Sequence, residues 1–239
     1  MALLYFSLSR WADRFLRYGK GIVPRAWRMP VRTTAYFHSP EAEPELRYLH
    51  CLCKHFRTAV DVGANHGYYA YRMARLFEQV YAFEANTFED FDLWHYRRTN
   101  LHVFPYGLSD RKGLATLYVP VCEGRPLAGW ASIERRTLSF AQSFQEIQVR
   151  VERLDDQAFV QERPIDLIKL DVEGSELNVL RGGEQVIRRD RPVLIIEDNP
   201  EQRTELRAWL EALGYQSLAP KQWMGKKLSS PNLVWVATT

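Results

Sequence analysis

Acidic residues punctuate this chain at regular places: Asp61, Glu84, Asp171 with Glu173, and Glu197 with Asp198, each at or just past the end of a short apolar run. In an open parallel sheet the residues that end the strands face one crevice, so these carboxylates, with the turn Tyr106 to Asp110, are expected to converge on a ligand. Around the first of them the chain reads TAVDVGANHGYYAYRMA, Thr58 to Ala74, and VYAFEAN follows from Val80 to Asn86. Gly63 and Gly67 permit backbone angles that a side chain forbids, and let the main chain come close to a ligand. Glu84, about twenty residues past Gly63, suits a ribose, whose two hydroxyls one carboxylate can accept. The spacing G-x-x-x-G differs from the G-x-G-x-x-G that cradles a pyrophosphate, and the turn holds no arginine or lysine to balance phosphate. Asp61 instead suits a cationic ligand, such as the ammonium and sulfonium of S-adenosylmethionine.

The elements that must position these residues alternate. Strand 58 to 62, helix 66 to 77, strand 79 to 84, helix 87 to 98 and strand 101 to 105 form successive β-α units, and therefore a parallel sheet with right-handed crossovers. A helix from Pro44, suited to a first helical position, to His55 leads into them. After the turn Gly107 to Gly113, ATLYVP has strand character, and residues 120 to 144 read as a loop-rich excursion on the acceptor side. Gln148 to Arg153 alternates as a strand, and LDDQAF reads as a short helix capped by Asp155. Strand 165 to 170, a polar corner at Asp171 to Gly174, a helix from Ser175 and strand 192 to 197 come next. A helix 201 to 213 ending at Gly214, then strands 215 to 219 and 233 to 238, complete the pattern.

A chain of 239 residues with 46% hydrophobic and 26% charged content fits one α/β domain. No apolar run approaches the ~20 residues that span a bilayer. Cys51, Cys53 and Cys122 form no C-x-x-C pair, which points to reduced thiols in the cytoplasm rather than a disulfide or zinc framework. Residues 1 to 32 hold seven basic groups and one acid, Asp13, a local charge of +6 in a chain of +3 that leaves −3 elsewhere. Leu4, Leu8, Trp11, Phe15 and Tyr18 form one helical stripe there, with Arg10, Arg14 and Arg17 off it. Such a basic amphipathic helix either packs on the domain or a second subunit as a homodimer, or docks peripherally on an anionic membrane surface. Gly19 to Pro40 reads as an irregular connector, which sets residues 1 to 40 apart from a domain over 41 to 239.

DVGANHGYYA, FEAN, GLSD and above all IKLDVEGSELNVLRGG with IIE resemble the FkbM family of S-adenosylmethionine-dependent methyltransferases, across roughly residues 45 to 200. The resemblance implies a class I methyltransferase fold, α/β with a seven-stranded, mostly parallel sheet whose last strand is antiparallel. It also implies methylation of a hydroxyl oxygen on a sugar, glycolipid or natural product. The family's cofactor motif falls on Asp61, Gly63, Asn65 and Gly67, its ribose acid on Glu84, and the GLSD turn contributes Ser109. Family members usually carry proline after that acid, where this chain has Ala85.

Methyl transfer from a sulfonium is an in-line displacement, so the protein must align the acceptor oxygen and take its proton. Asp171, orienting the cofactor's amine or the acceptor, and Glu173, on the acceptor side, are the expected catalytic residues, although both could instead cap the helix after them. Glu176 has a similar standing or is a first-turn acid favoured by the helix dipole. Asp171, Glu173 and Glu197 could together hold Mg²⁺. His66 is expected to pack or bond to backbone, while His38 could swing over the crevice as a base. Two other classes compete: a nicotinamide-dependent oxidoreductase, which lacks its pyrophosphate loop here, and a nucleic-acid methyltransferase or silent binding module, for which no stacking platform beside the crevice is evident. A nucleic-acid partner is therefore not expected.

Overall fold

The computed structural model describes residues 23–40, 42–87, 91–200, 202–219, 222 and 230–238. The stripe at Leu4 to Tyr18 lies outside them. The helices are α1 (Arg25–Phe37), α2 (Pro44–Leu52), α3 (Tyr68–Met73), α4 (Glu176–Gly182), α5 (Glu184–Asp190) and α6 (Arg203–Ala212). The strands are β1 (Thr58–Val62), β2 (Gln79–Phe83), β3 (Leu101–Phe104), β4 (Gly107–Leu108), β5 (Gly113–Cys122), β6 (Arg125–Pro126), β7 (Ser143–Glu152), β8 (Leu167–Leu170), β9 (Val193–Glu197), β10 (Tyr215–Leu218) and β11 (Asn232–Ala237).

Seven strands form one sheet in the order β10-β11-β9-β8-β1-β2-β3. β1 pairs in parallel with β2 and β8, β2 with β3, and β8 with β9, while β11 runs antiparallel to both β9 and β10. This is the class I methyltransferase arrangement that the sequence resemblance implied. The innermost strands, β1 and β8, are buried along their whole length because helices cover both faces. One apolar cluster gathers Leu46, Leu49, Ala70 and Met73 under α2 and α3. The other gathers Val179, Ile187, Leu206 and Leu210 from α4, α5 and α6 on the opposite face.

Three expectations change. The connector is a helix, α1, even though Pro30 inside it removes one backbone donor. Tertiary contacts overrule that cost: Met29 and Thr33 are buried, and Arg32 Nε lies 3.1 Å from Asp92. In place of the helix 87 to 98, the described part holds one short 3₁₀ turn, Asp92–His95. Phe91 and Leu93, two residues apart, are both buried, a spacing that puts no continuous stripe on an α-helix. Asp155 does not cap its own segment, which forms two 3₁₀ turns, Leu154–Asp156 and Ala158–Gln161. Its carboxylate accepts the backbone N–H groups of Gln185 and Val186 at the start of α5, at 3.2 and 3.0 Å.

The excursion expected over 120 to 144 is framed by a second sheet of four strands, β4-β7-β5-β6. β5 and β7 pair antiparallel from Gly113 opposite Val151 to Val121 opposite Ser143. Alternate residues, Ala115, Leu117, Val119, Ile147, Val149 and Val151, turn inward to a small core of their own. Between these strands the chain runs through a 3₁₀ turn, Ala128–Trp130, that comes back against Asn65, just past the end of β1. This second sheet roofs the crevice. Among the described residues no helix is long and apolar enough to cross a membrane, and the three cysteines are free.

Candidate active site

Two neighbouring cavities open at the carboxyl ends of β1, β2, β8 and β9. The larger, about 310 Å³, is floored by Val62, Gly63, Phe83 and Glu84 and roofed by Leu117 and Ile133. The smaller, about 170 Å³, lies between Tyr36 of α1, Asp61 and Lys169. They share Glu43, Gly63, Asn65 and Asp171.

The turn after β1 explains its glycines. Gly63 has φ +78°, and a Cβ there would lie 1.8 Å from the carbonyl oxygen of Asp171, so no side chain fits between the ends of β1 and β8. Gly67 has φ +83°, and its Cβ would meet Leu93 at 2.7 Å; it lines neither cavity and serves the packing of α3. Asn65 takes φ +46°, and its backbone N–H donates to Glu84 Oε2 at 2.7 Å. The N–H of Asn86 donates to Oε1 of the same carboxylate, also at 2.7 Å. Glu84 is thus fixed by two backbone donors, while each oxygen keeps a lone pair for a further donor. Burial raises its pKa, and those two backbone hydrogen bonds oppose the rise.

In the smaller chamber Asp61 is 2% exposed, and its Oδ2 has no hydrogen-bond partner among the described residues. Burial pushes its pKa up to about 7 against the pull of Lys169. Lys169 lies beside it in register on β8, buried, with Nζ 3.2 Å from Asp171 Oδ2 and 5.1 Å from the centre of the Tyr69 ring. Burial alone would lower the Lys169 pKa, but Asp171, Glu43 and Asp61 outweigh it and hold the ammonium above its ordinary value. Glu43, at the start of α2, accepts from the Tyr69 hydroxyl and the Asn232 amide, each at 2.7 Å. Tyr36 stacks on Tyr68 at 4.2 Å, and both rings line the chamber.

Asp171, Glu173 and Glu197 meet at the other end of the larger cavity, with carboxylate oxygens within 4.8 Å of one another. Burial, then the charge of Asp171, raises Glu173 to about 7 despite Arg136, whose Nη2 lies 2.8 Å from it. Burial and the charges of Asp171 and Glu173 push Glu197 up to about 8. Its Oε2 is buried without a partner among the described residues. These oxygens are donors that Mg²⁺ would accept, yet Lys169 and Arg136 already neutralise two of the three groups.

The remaining expected residues fall elsewhere. Ser109 is buried off the cavity, its carbonyl oxygen against Gly182, and its hydroxyl bonds to Asp110; Gly107 and Leu108 line the site instead. Glu176 is fully buried and accepts the N–H groups of Val172 and Gly174, which shapes the corner that presents Glu173. Asp198 is paired with Arg203 at 2.7 Å. His66 Nδ1 lies 3.0 Å from Arg32 Nη1, and His38 ends α1 on its outer face, beside Trp27 and Val31. Sequence reasoning missed Lys169, whose one signal was a charge inside the apolar run 165 to 170. It also missed Glu43 and Tyr36, which only folding brings to the rim, whereas Trp130 and Arg136 belong to the segment 120 to 144 that was expected on the acceptor side.

The sheet order and a carboxylate-rimmed cleft at the strand ends define a class I methyltransferase scaffold. The sequence matches the model of the methyltransferase FkbM domain over residues 61–217, and the chain belongs to that family. A similar solved structure is the methyltransferase FkbM of Methylobacillus flagellatus, at 16% identity and TM-score 0.49, with 95% of this chain and 60% of that one covered. The chain therefore spans under two thirds of that protein's length. A TehB-like SAM-dependent methyltransferase of Corynebacterium glutamicum has 11% identity and TM-score 0.45, covering 97% of this chain and 98% of its own. A SAM-dependent methyltransferase of Aquifex aeolicus has 13% identity and TM-score 0.41, covering 82% and 89%. None of these likenesses reaches a TM-score of 0.5, and the family assignment rests on the sequence match alone. Among curated proteins none matches the chain.

Proposed function

We infer that this protein transfers a methyl group from S-adenosylmethionine to a hydroxyl oxygen of a small acceptor, a sugar, glycolipid or natural product. The observation that carries this reading is a backbone-anchored Glu84 in one chamber and the buried, unpartnered oxygen of Asp61 in the chamber beside it, the two sharing Gly63, Asn65 and Asp171 in their walls. When bound, S-adenosylmethionine supplies an electrophilic methyl on a sulfonium. Glu84 accepts the ribose hydroxyls with its free lone pairs, and Asp61 accepts the ammonium of the amino-acid portion. Lys169 holds Asp171 in place between the two chambers. Glu173 and Glu197, with pKa values raised to about 7 and 8, are suited to take the acceptor's proton near neutrality. Because Asp171 and Glu173 are already paired with cations, Mg²⁺ is not part of the proposal.

Binding of S-adenosylhomocysteine measured by calorimetry tests the reading. Replacing Glu84 with alanine removes charge-assisted hydrogen bonds worth about 1.5 to 3 kcal/mol, so affinity is expected to fall at least tenfold. Unchanged affinity, or protection of the fold by NAD alone, would refute it.

The local excess of positive charge in residues 1 to 32 has a structural counterpart. On α1, Trp27 is 65% exposed and Val31 39%, together forming an apolar outer face. An anionic membrane surface complements both the charge and the apolar face, and a peripheral contact there would bring the enzyme to a lipid-borne acceptor.

A further inference from the structure

We propose that His66 binds the methyl donor, its Nε2–H donating to the donor's α-carboxylate, and that Arg32, held by Asp92, fixes the imidazole in the tautomer this needs. The proposal rests on the methyl-transfer reading above and assigns the amino-acid end of the same site. Arg32 lies on α1, ahead of the matched family domain. Its guanidinium has only donors, so the 3.0 Å contact of Nη1 with His66 Nδ1 has one meaning: arginine donates, and Nδ1 carries no hydrogen. The hydrogen of the neutral ring is then on Nε2, which points nearly opposite to Nδ1. The guanidinium is held in turn, with Nε 3.1 Å from Asp92 Oδ2 and both side chains largely buried. Phe91 meets the imidazole edge-on at 5.0 Å, Tyr68 flanks it at 5.9 Å, and the ring lines the smaller chamber.

The chamber needs such a donor. Asp61 offers an oxygen to an ammonium, but the amino-acid end of S-adenosylmethionine is a zwitterion, and its carboxylate would enter a space lined by Glu43, Asp61 and Asp171. The amides of the turn are spent inside the protein: Gly63 and Ala64 donate to Phe83, Asn65 to Glu84 and Gly67 to Ala64, at 2.7 to 3.0 Å. Lys169 directs its ammonium to the Leu170 carbonyl at 3.3 Å, to Asp171 at 3.2 Å and toward the Tyr69 ring. The Asn65 amide nitrogen lies against Gly129 of the roof. Tyr69 donates to Glu43, and Tyr36 stands in the field of the same acid, where a second carboxylate would be repelled. His66 instead presents a donor with a guanidinium behind it. The other tautomer would turn a lone pair toward the carboxylate and repel it, so the contact with Arg32 decides whether the imidazole can serve.

Calorimetry with two probes tests this: S-adenosylhomocysteine, and its decarboxylated analogue 5′-deoxy-5′-(3-aminopropylthio)adenosine, which keeps the ammonium and lacks only the carboxylate. His66→Ala is expected to weaken S-adenosylhomocysteine about tenfold, the scale of one charge-assisted hydrogen bond, and to leave the analogue within about twofold. His66→Gln, which restores an N–H donor, is expected to keep most of the affinity. Circular dichroism reports whether each variant is folded, and should the alanine variant fail that check, His66→Phe, which keeps the ring packing without a donor, carries the same expected loss. Imidazole ¹⁵N NMR of the natural protein is expected to show hydrogen on Nε2 alone, and Arg32→Met a mixture of tautomers. A loss equal for both probes, no loss in a folded variant lacking the donor, or hydrogen on Nδ1 in the natural protein overturns the proposal. Failure of the natural protein to bind either nucleoside would instead overturn the methyl-donor reading.

Discussion

Replacing Lys169 with methionine, a side chain of similar length, removes the buried cation that faces Asp61, Asp171 and Glu43. Breaking a buried pair by deleting one partner costs about 3 to 5 kcal/mol, because the other charge stays buried and uncompensated. In a chain of 239 residues that corresponds to a fall in Tm of roughly 6 to 20 °C. The loss has a pH signature. Asp61 is already raised from 3.8 to about 7 in the folded protein, so its ionisation opposes folding as pH climbs from the ordinary carboxylate range through 7. Without Lys169 its folded pKa rises further, and the penalty keeps growing above pH 7, by about 1.4 kcal/mol for each additional pH unit until the new pKa is reached. At pH 5 Asp61 is protonated in both proteins and adds nothing to their difference. Urea denaturation at pH 5 and pH 8 is therefore expected to show a deficit about 1 kcal/mol larger at pH 8. A deficit below about 1 kcal/mol at both pH values would refute the picture of Lys169 as a buried, paired cation.

Gly63→Ala places a Cβ 1.8 Å from the Asp171 carbonyl at φ +78°, so calorimetry should show a destabilisation above ~1 kcal/mol together with loss of S-adenosylhomocysteine binding. With Glu173 and Glu197 raised to about 7 and 8, the base form gains population as pH rises, so kcat/KM for methyl transfer should climb between pH 6 and about 9 and then level. Glu197→Gln should lower the rate and remove the upper part of that climb; an identical profile in the variant would exclude Glu197 as the acid that titrates. Co-sedimentation with anionic vesicles at low salt should fall when Trp27 and Val31 are both changed to serine, and failure of the natural protein to sediment would exclude the membrane contact.

The sequence by itself determined the frame and the floor of this site. Alternating apolar runs and turns dictated a parallel sheet, and a parallel sheet sends its strand ends to one side, so Asp61, Glu84, Asp171, Glu173 and Glu197 were legible as a group from sequence, together with Asp198, which instead pairs with Arg203. Gly63 was legible because only glycine accepts the angles and the close approach found there. What local pattern could not reach was whatever arrives from elsewhere in the chain. α1 persists through Pro30 because Met29, Arg32 and Thr33 find partners on the body of the domain, and those partners are remote in sequence. Ser109 shares the GLSD motif yet turns away, since the chain there is set by the pairing of β4 with β7. Lys169 looks like an anomaly within an apolar strand until Asp61, Asp171 and Glu43 surround it. Trp130 and Arg136 gain their meaning from a second sheet that folds its loop over the crevice. Local propensity and periodicity encode strands, turns and their polarity, whereas charge compensation and the roof of a cavity are properties of contacts between segments far apart in the chain, and only tertiary structure decides those.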